Sequence, residues 1–323
     1  MTKRNETVLI TGGTRGLGLA IAEIYAKRGM NIAVCSRTEV DLDKAVNHLL
    51  PFSPRIKVKG YVCDVGNEEE VLSLLEKISH DFGIIDILVN NAGVIISAPA
   101  LATSVKDMKS TMDSNLLGMI HTSMALAPKM AERRAGRIIN VASIGGVVPV
   151  PHLLAYGTSK FGAVGFSTSL GLELKRFDVS VTTVCPTLIR TGSYLHALFK
   201  GKTKQEMNWF TVASTYPFLS KSAESVAAAI VRAGDRRKLF AVIGLNAKIA
   251  RLGFALFPNL TLSIMDRVNR LLPAEGTHPN EELEKFRQDD PLTGAEVIAL
   301  TGIHPETKAG ADAATRWNER NGC

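Results

Sequence analysis

TGGTRGLG, Thr11 to Gly18, closes the β-branched run Thr7 to Thr11 and leads straight into LAIAEIYAKRG. Glycines at 12, 16 and 18 permit a tight turn and a close approach of backbone to a ligand. The amino terminus of the helix behind them offers unpaired N–H groups and a positive dipole end, the combination that seats a pyrophosphate. Glycine spacing alone is a weak signal, but a strand before it and a helix after it make it specific. Gly12, Thr14, Arg15, Gly16, Leu17 and Gly18 are therefore candidate dinucleotide-binding residues.

Outward from this turn the same alternation repeats. Short apolar runs rich in Val and Ile recur at Asn31 to Ser36, Lys57 to Cys63, Ile85 to Asn90, Arg137 to Ala142, Val179 to Cys185 and Leu239 to Gly244. Helical patterns separate them, at Leu17 to Arg28, Val40 to Leu50, Glu68 to Phe82, Val105 to Arg133, Leu154 to Phe177 and Ala223 to Gly234. Parallel strands need helix-sized crossovers, so this order predicts an α/β, doubly wound parallel sheet of about seven strands with helices on both faces, the Rossmann architecture. Composition agrees: 46% hydrophobic, 21% charged and a net charge of +7 over 323 residues exclude a disordered chain and a disulfide scaffold.

The end of the second strand predicts which dinucleotide binds. An acidic residue there would bond a ribose 2′-hydroxyl, but this chain has Ser36 and Arg37. A guanidinium suits a 2′-phosphate, and Arg15 can join it from the turn, so NADP(H) is expected. Asp64 and Val65 after the third strand, and Asn91, Ala92 and Gly93 after the fourth, are further candidates around the cofactor. No metal site is expected.

Tyr156 precedes Lys160 by four residues on one predicted helix, and Ser143 follows the preceding strand. Residues i and i+4 share a helical face. A lysine ammonium so placed is expected to favour the phenolate of Tyr156, making it a general acid/base, while Ser143 hydrogen-bonds the substrate oxygen.

The glycine turn, Asn90-Asn91-Ala92-Gly93, Ser143, Tyr156-x-x-x-Lys160, and Pro186 followed by Thr191 resemble, in order and approximate spacing, the short-chain dehydrogenases/reductases. The resemblance covers residues 5 to 245. It implies a catalytic tetrad of Asn115, Ser143, Tyr156 and Lys160, with Asn115 holding a helix distortion and a relay water. It further implies that Lys160 bonds the nicotinamide ribose, that Pro186, Ile189 and Thr191 border the nicotinamide, and that the protein is a homo-oligomer. One position departs from the family: Thr187 stands where a glycine is usual.

Residues 1 to 275 are read as a single catalytic domain, with an aromatic-rich lid at 192 to 218, and residues 276 to 323 as an acidic, loosely docked or disordered tail. The aromatic lid, with Ile95, Ile96 and Pro151 to Leu154, predicts a lipophilic carbonyl or alcohol substrate. His152 is weighed as a substrate contact or as a structural residue. Reduction of a 3-oxoacyl thioester on an acidic carrier is the alternative enzyme reading, and a non-catalytic NADP(H)-binding sensor or scaffold the alternative of another class. The segment 232 to 270, with eight Lys/Arg against two Asp, is expected either to contact an anionic membrane or acidic partner or to be a solvated face. Dispersed positive charge argues against nucleic-acid binding. Cys35, Cys63, Cys185 and Cys323 form no CxxC pair, the leader before the first strand is too short for a signal sequence, and Pro258 interrupts the one long weakly charged run. A cytoplasmic location is the expectation.

Overall fold

The computed structural model describes residues 4–217, 219–273, 283–285 and 308–317. Its central sheet has seven parallel strands: β1 (Thr7–Thr11), β2 (Asn31–Ser36), β3 (Val58–Val62), β4 (Ile87–Asn90), β5 (Gly136–Val141), β6 (Val179–Pro186) and β7 (Phe240–Ile243). Their spatial order is β7-β6-β5-β4-β1-β2-β3. The order reverses between β1 and β4, and clefts at such a switch point, beyond the strands' carboxyl ends, are where these sheets hold ligands. Every residue of β1 is buried, as a strand covered on both faces requires.

Helices α1 (Gly16–Lys27), α2 (Glu39–Leu49), α3 (Glu68–Phe82), α4 (Val105–Met112), α5 (Gly118–Glu132), α6 (Leu154–Leu174), α7 (Thr203–Thr215) and α8 (Ala223–Asp235) follow. Two apolar cores lie on the opposite sheet faces. One gathers α1, α2 and α8 around Val8, Ile10, Val34 and Val226. The other gathers α3 and α5 around Leu9, Ala33, Leu88 and Ile138. The odd and even residues of β1 thus serve different cores, the period-two consequence of pleating.

The helix expected over Val105 to Arg133 is interrupted. Asp113–Leu117 forms a π-helical turn between α4 and α5, and its cause is a side chain described below. Residues 192 to 217, which carry no clear periodicity, fold as a 3-10 turn at Ser193–His196, a short strand at Leu198–Phe199 and α7. Beyond β7 come α9 (Leu245–Leu256) and α10 (Pro258–Asn269), Pro258 taking a first-turn position where its missing N–H costs nothing. Most of the predicted tail lies outside the described residues. Its described part includes α11 (Lys308–Arg316), which is docked rather than loose: Trp317 is buried in the first core. Cys35, Cys63 and Cys185 are buried free thiols.

Candidate active site

The glycine turn is locked to the end of β4. Gly12 adopts a φ of 61° and Gly16 of 53°, conformations that side chains with a Cβ disfavour. A Cβ on Gly18 would lie 2.1 Å from the Gly12 carbonyl, and one on Gly12 would lie 2.9 Å from Ala92 Cα. The Asn91 amide donates to the carbonyls of Thr11 (3.2 Å) and Gly12 (3.0 Å). In return, the Thr11 hydroxyl accepts from the N–H groups of Asn91 and Ala92. This bare backbone cradle at a helix amino terminus fits a dinucleotide pyrophosphate. Thr14 is buried within it and Leu17 packs on the first core.

Ser36 ends β2 beside the turn, and Arg37 is exposed. Arg15 faces Asp41 of α2 at 3.5 Å, a carboxylate that sequence reading did not place there. Asp64 turns back on its own loop, accepting from Gly66 N–H at 3.0 Å, while Val65 is buried with its carbonyl 3.0 Å from His121 Nδ1.

Asn115 sits inside the π-helical turn and is 1% exposed. Its Oδ1 accepts from Val94 N–H at 2.7 Å. Its amide donates to the Val94 carbonyl and to Ser159 Oγ, both at 3.0 Å. One side chain thus ties the interrupted helix both to the loop after β4 and to α6, a common use of a π-bulge at a functional site. A Cβ on Gly93 would approach Asn115 Oδ1 to 2.8 Å and Lys160 Nζ to 3.8 Å, so Gly93, Asn115 and Lys160 converge.

Ser143, just past β5, accepts from Gly145 N–H at 3.1 Å and stands beside Tyr156, for a Cβ on Gly145 would lie 3.6 Å from Ser143 Oγ and 3.5 Å from a carbon of the Tyr156 ring. Lys160 Nζ lies 5.7 Å from the centroid of the Tyr156 ring and donates to the Val141 carbonyl at 3.1 Å. The four residues of the expected tetrad therefore gather at the carboxyl ends of β4 and β5. Their electrostatics differ from the expectation. Desolvation raises the Tyr156 phenol above its usual value, opposed by Ser143. The lysine exerts no resolved pull on that phenol; desolvation instead lowers Lys160 itself to about 8. Burial outweighs charge pairing here because both groups are enclosed by the protein, where the charged form of each loses water.

Pro186 ends β6. Thr187 is buried, and a Cβ on Gly244 would lie 2.7 Å from its methyl. Gly244, with a φ of 107°, thus clears the room that Thr187 occupies. Ile189 lies in a short strand paired with Ser220–Ser222, and buried Thr191 caps Ser193 N–H at 3.1 Å.

The segment after β6 contributes Tyr194, Ala197, Phe199, Met207 and Phe210 to a third apolar cluster with Leu153, against which Tyr156, Ile95 and Trp209 pack. A buried histidine–carboxylate contact and a buried ion pair pin this segment. His152 Nδ1 lies 2.7 Å from Glu206, whose carboxylate also accepts from Trp209 Nε1 at 2.6 Å and Ser97 Oγ at 3.3 Å. Lys200 donates to Asp107 of the α4 capping box at 2.6 Å. His152 is held by Glu206 of α7. Glu206, Lys200 and Asp107 escape sequence reasoning because their partners lie 54 and 93 residues away.

Sequence reasoning also misses Trp317. Its carbonyl accepts from Gly16 N–H at 2.8 Å, and Arg316 pairs with Glu224 at 3.0 Å. The far end of the described chain thus closes one donor of the glycine turn.

Residues 6–197 match the family model described as short chain dehydrogenase. The chain belongs to that family. This short-chain dehydrogenase is 31% identical over 283 residues to Dehydrogenase/reductase SDR family member 7B of Xenopus laevis, covering 86% of each chain. It is 35% identical over 190 residues to Estradiol 17-beta-dehydrogenase 11 of Homo sapiens, covering 58% of this chain and 63% of that one. Among solved structures, L-sorbose reductase from Gluconobacter frateurii, complexed with NADPH and L-sorbose, superposes with a TM-score of 0.65 at 27% identity, covering 74% and 95% of the two chains. Membership makes the enzyme an oxidoreductase of alcohol and carbonyl groups that takes a nicotinamide dinucleotide.

Proposed function

We propose that this short-chain dehydrogenase uses NADP(H) to interconvert a ketone or aldehyde and its alcohol on a lipophilic substrate. The observation that carries the reading is the gathering of Ser143 and Lys160 around Tyr156, beside an apolar cluster that packs on the same tyrosine. When bound, the nicotinamide supplies the hydride that reduces the carbonyl carbon, or takes it back in reverse. Tyr156, its phenol raised by burial, is protonated at neutral pH and therefore begins as the acid, giving its proton to the substrate oxygen. Ser143 holds that oxygen. Lys160 and Asn115 shape the polar floor under Tyr156, through which its proton is restored.

The glycine turn and Asn91 to Gly93 seat the dinucleotide, with Asp64, Val65, Pro186, Ile189 and Thr191 along its length. Arg37 and Arg15 support NADP(H), with Asp41 orienting Arg15, and the NADPH complex of L-sorbose reductase supports a phosphorylated cofactor in this fold. The steroid named for the human relative supports an apolar substrate. Phe161 and Leu172, exposed on α6, support self-association through that helix.

A panel of cyclic and long-chain ketones and alcohols, followed by absorbance of the reduced nicotinamide with NADPH and NADH in parallel, tests the reading. Turnover favouring NADPH and apolar ketones is expected. Turnover confined to acyl-carrier thioesters or a preference for NADH overturns the corresponding half, and cofactor binding with no turnover on any substrate overturns the whole.

A further inference from the structure

Helices α9 and α10 form a hairpin on the open edge of the sheet, beside β7. Ala247 is the sole buried residue of α9, and α10 has none. The hairpin meets the body through β7 and through Arg251, whose guanidinium lies 4.6 Å from the centroid of the Phe240 ring.

Its apolar residues are ordered. On α9, Leu245, Ile249, Leu252 and Leu256 are each at least 60% exposed, and their spacing of three or four residues places them on one stripe. On α10, Leu260, Ile264 and Val268 repeat the pattern, 38% to 60% exposed, and Leu271, just past its end, is 86% exposed. The two stripes meet at Phe257, 60% exposed at the turn. Isolated surface leucines are ordinary, but two aligned stripes joined through an aromatic tip make a continuous apolar face.

The charges on the same segment are one-sided. From Arg236 to Leu271 stand Arg236, Arg237, Lys238, Lys248, Arg251, Arg267 and Arg270. The single acid among them, Asp266, pairs with Arg270 at 2.8 Å. A second copy docking by the same face would bring these cations against their own equivalents, since a two-fold contact is self-complementary. The occupant must instead offer apolar depth beneath a layer of negative charge, as an anionic leaflet does. Lys and Arg keep their heads among the phosphates while apolar neighbours enter the acyl boundary. Each helix has 12 residues, about 18 Å long against a hydrocarbon core of about 30 Å. No helix among the described residues is long and apolar enough to cross a membrane. The hairpin can lie in one leaflet and cannot span two.

We propose that the α9–α10 hairpin is an interfacial membrane-binding surface that docks the enzyme on anionic phospholipid. The inference is independent of the substrate and cofactor assigned above.

Sedimentation of the full chain with vesicles tests it. Binding is expected to vesicles of phosphatidylcholine mixed equally with phosphatidylglycerol, weakening as salt rises, and not to phosphatidylcholine alone. Leu252→Asp with Leu256→Asp, and separately Lys248→Glu with Arg267→Glu, are each expected to reduce binding at least about ten-fold, because each removes one of the two required attractions. All four positions are solvent-exposed, so unchanged melting and NADPH binding are expected in both variants and show that the fold is intact. Failure of the wild-type chain to sediment with the anionic vesicles overturns the proposal. So does binding that survives both variants, or a wild-type oligomer that the same variants dissociate while no vesicle is bound.

Discussion

Lys160 Nζ lies 5.7 Å from the Tyr156 ring centroid, yet its hydrogen bond goes to the Val141 carbonyl, 3.1 Å away. The polar neighbour that acts on the Tyr156 phenol is instead Ser143, which pulls it down against the rise that burial causes. The two partners divide the work: serine addresses the proton-bearing oxygen, and lysine stands behind the ring on a backbone anchor. Tyr156→Phe keeps the ring and removes that oxygen. It is expected to lower kcat by about 10²- to 10⁴-fold while leaving NADPH affinity, measured by fluorescence titration, unchanged.

Burial of Lys160 ties stability to pH. In the folded chain it loses its proton near 8, against an ordinary value of 10.5. Between those values the unfolded chain binds more protons, so stability rises with pH there, and it falls as pH drops towards 8. Lys160→Met removes this dependence. The wild type is expected to gain on the order of 2 kcal/mol relative to the variant between about pH 7.5 and 9.5, as read by urea unfolding. Parallel pH dependences would show that Lys160 is not desolvated.

Gly18→Ala places a Cβ 2.1 Å from the Gly12 carbonyl, and backbone cannot yield as a side chain does. NADPH affinity is expected to fall at least about ten-fold, since the turn must open to relieve the contact. Gly165→Ala on α6 meets nothing within 4 Å. It is expected to stabilise the protein by about 0.5–1 kcal/mol, as alanine does in a helix interior, with affinity unchanged.

Arg37→Glu sets a carboxylate where the 2′-phosphate of NADP(H) is expected. KM for NADPH should rise at least about ten-fold and KM for NADH should not, because charge repulsion acts on the phosphorylated cofactor alone. Equal changes in both would remove Arg37 from cofactor choice.

Glu206→Ala strips His152, Trp209 and Ser97 of their common acceptor. Leaving a buried donor without its acceptor costs about 1–3 kcal/mol, so a clear drop in melting temperature is expected. KM for substrate should rise more than KM for NADPH, because these contacts hold the apolar cluster beside Tyr156 rather than the glycine turn.

The alternation of β-branched runs with amphipathic segments made the parallel sheet legible, since strands buried on both faces must be continuously apolar. The glycine turn and the Ser143, Tyr156 and Lys160 group were legible because each needs particular residue types at short range. The π-helical turn was not, because Asn115 distorts the helix by reaching Val94, a contact that helical periodicity does not encode. Nor was the direction of the Tyr156 shift. A sequence shows that a lysine is one helical turn away, but not how much water both groups lose in the folded chain. Glu206 and Lys200 read as ordinary surface charges until the chain brings His152 and Asp107 to them.

The bond from Gly16 to the Trp317 carbonyl has a practical corollary for handling the protein. A tag fused downstream of Trp317 would pull on the residue whose carbonyl holds the Gly16 N–H of the glycine turn. Carboxy-terminal fusions are therefore expected to disturb cofactor titrations that amino-terminal fusions leave alone.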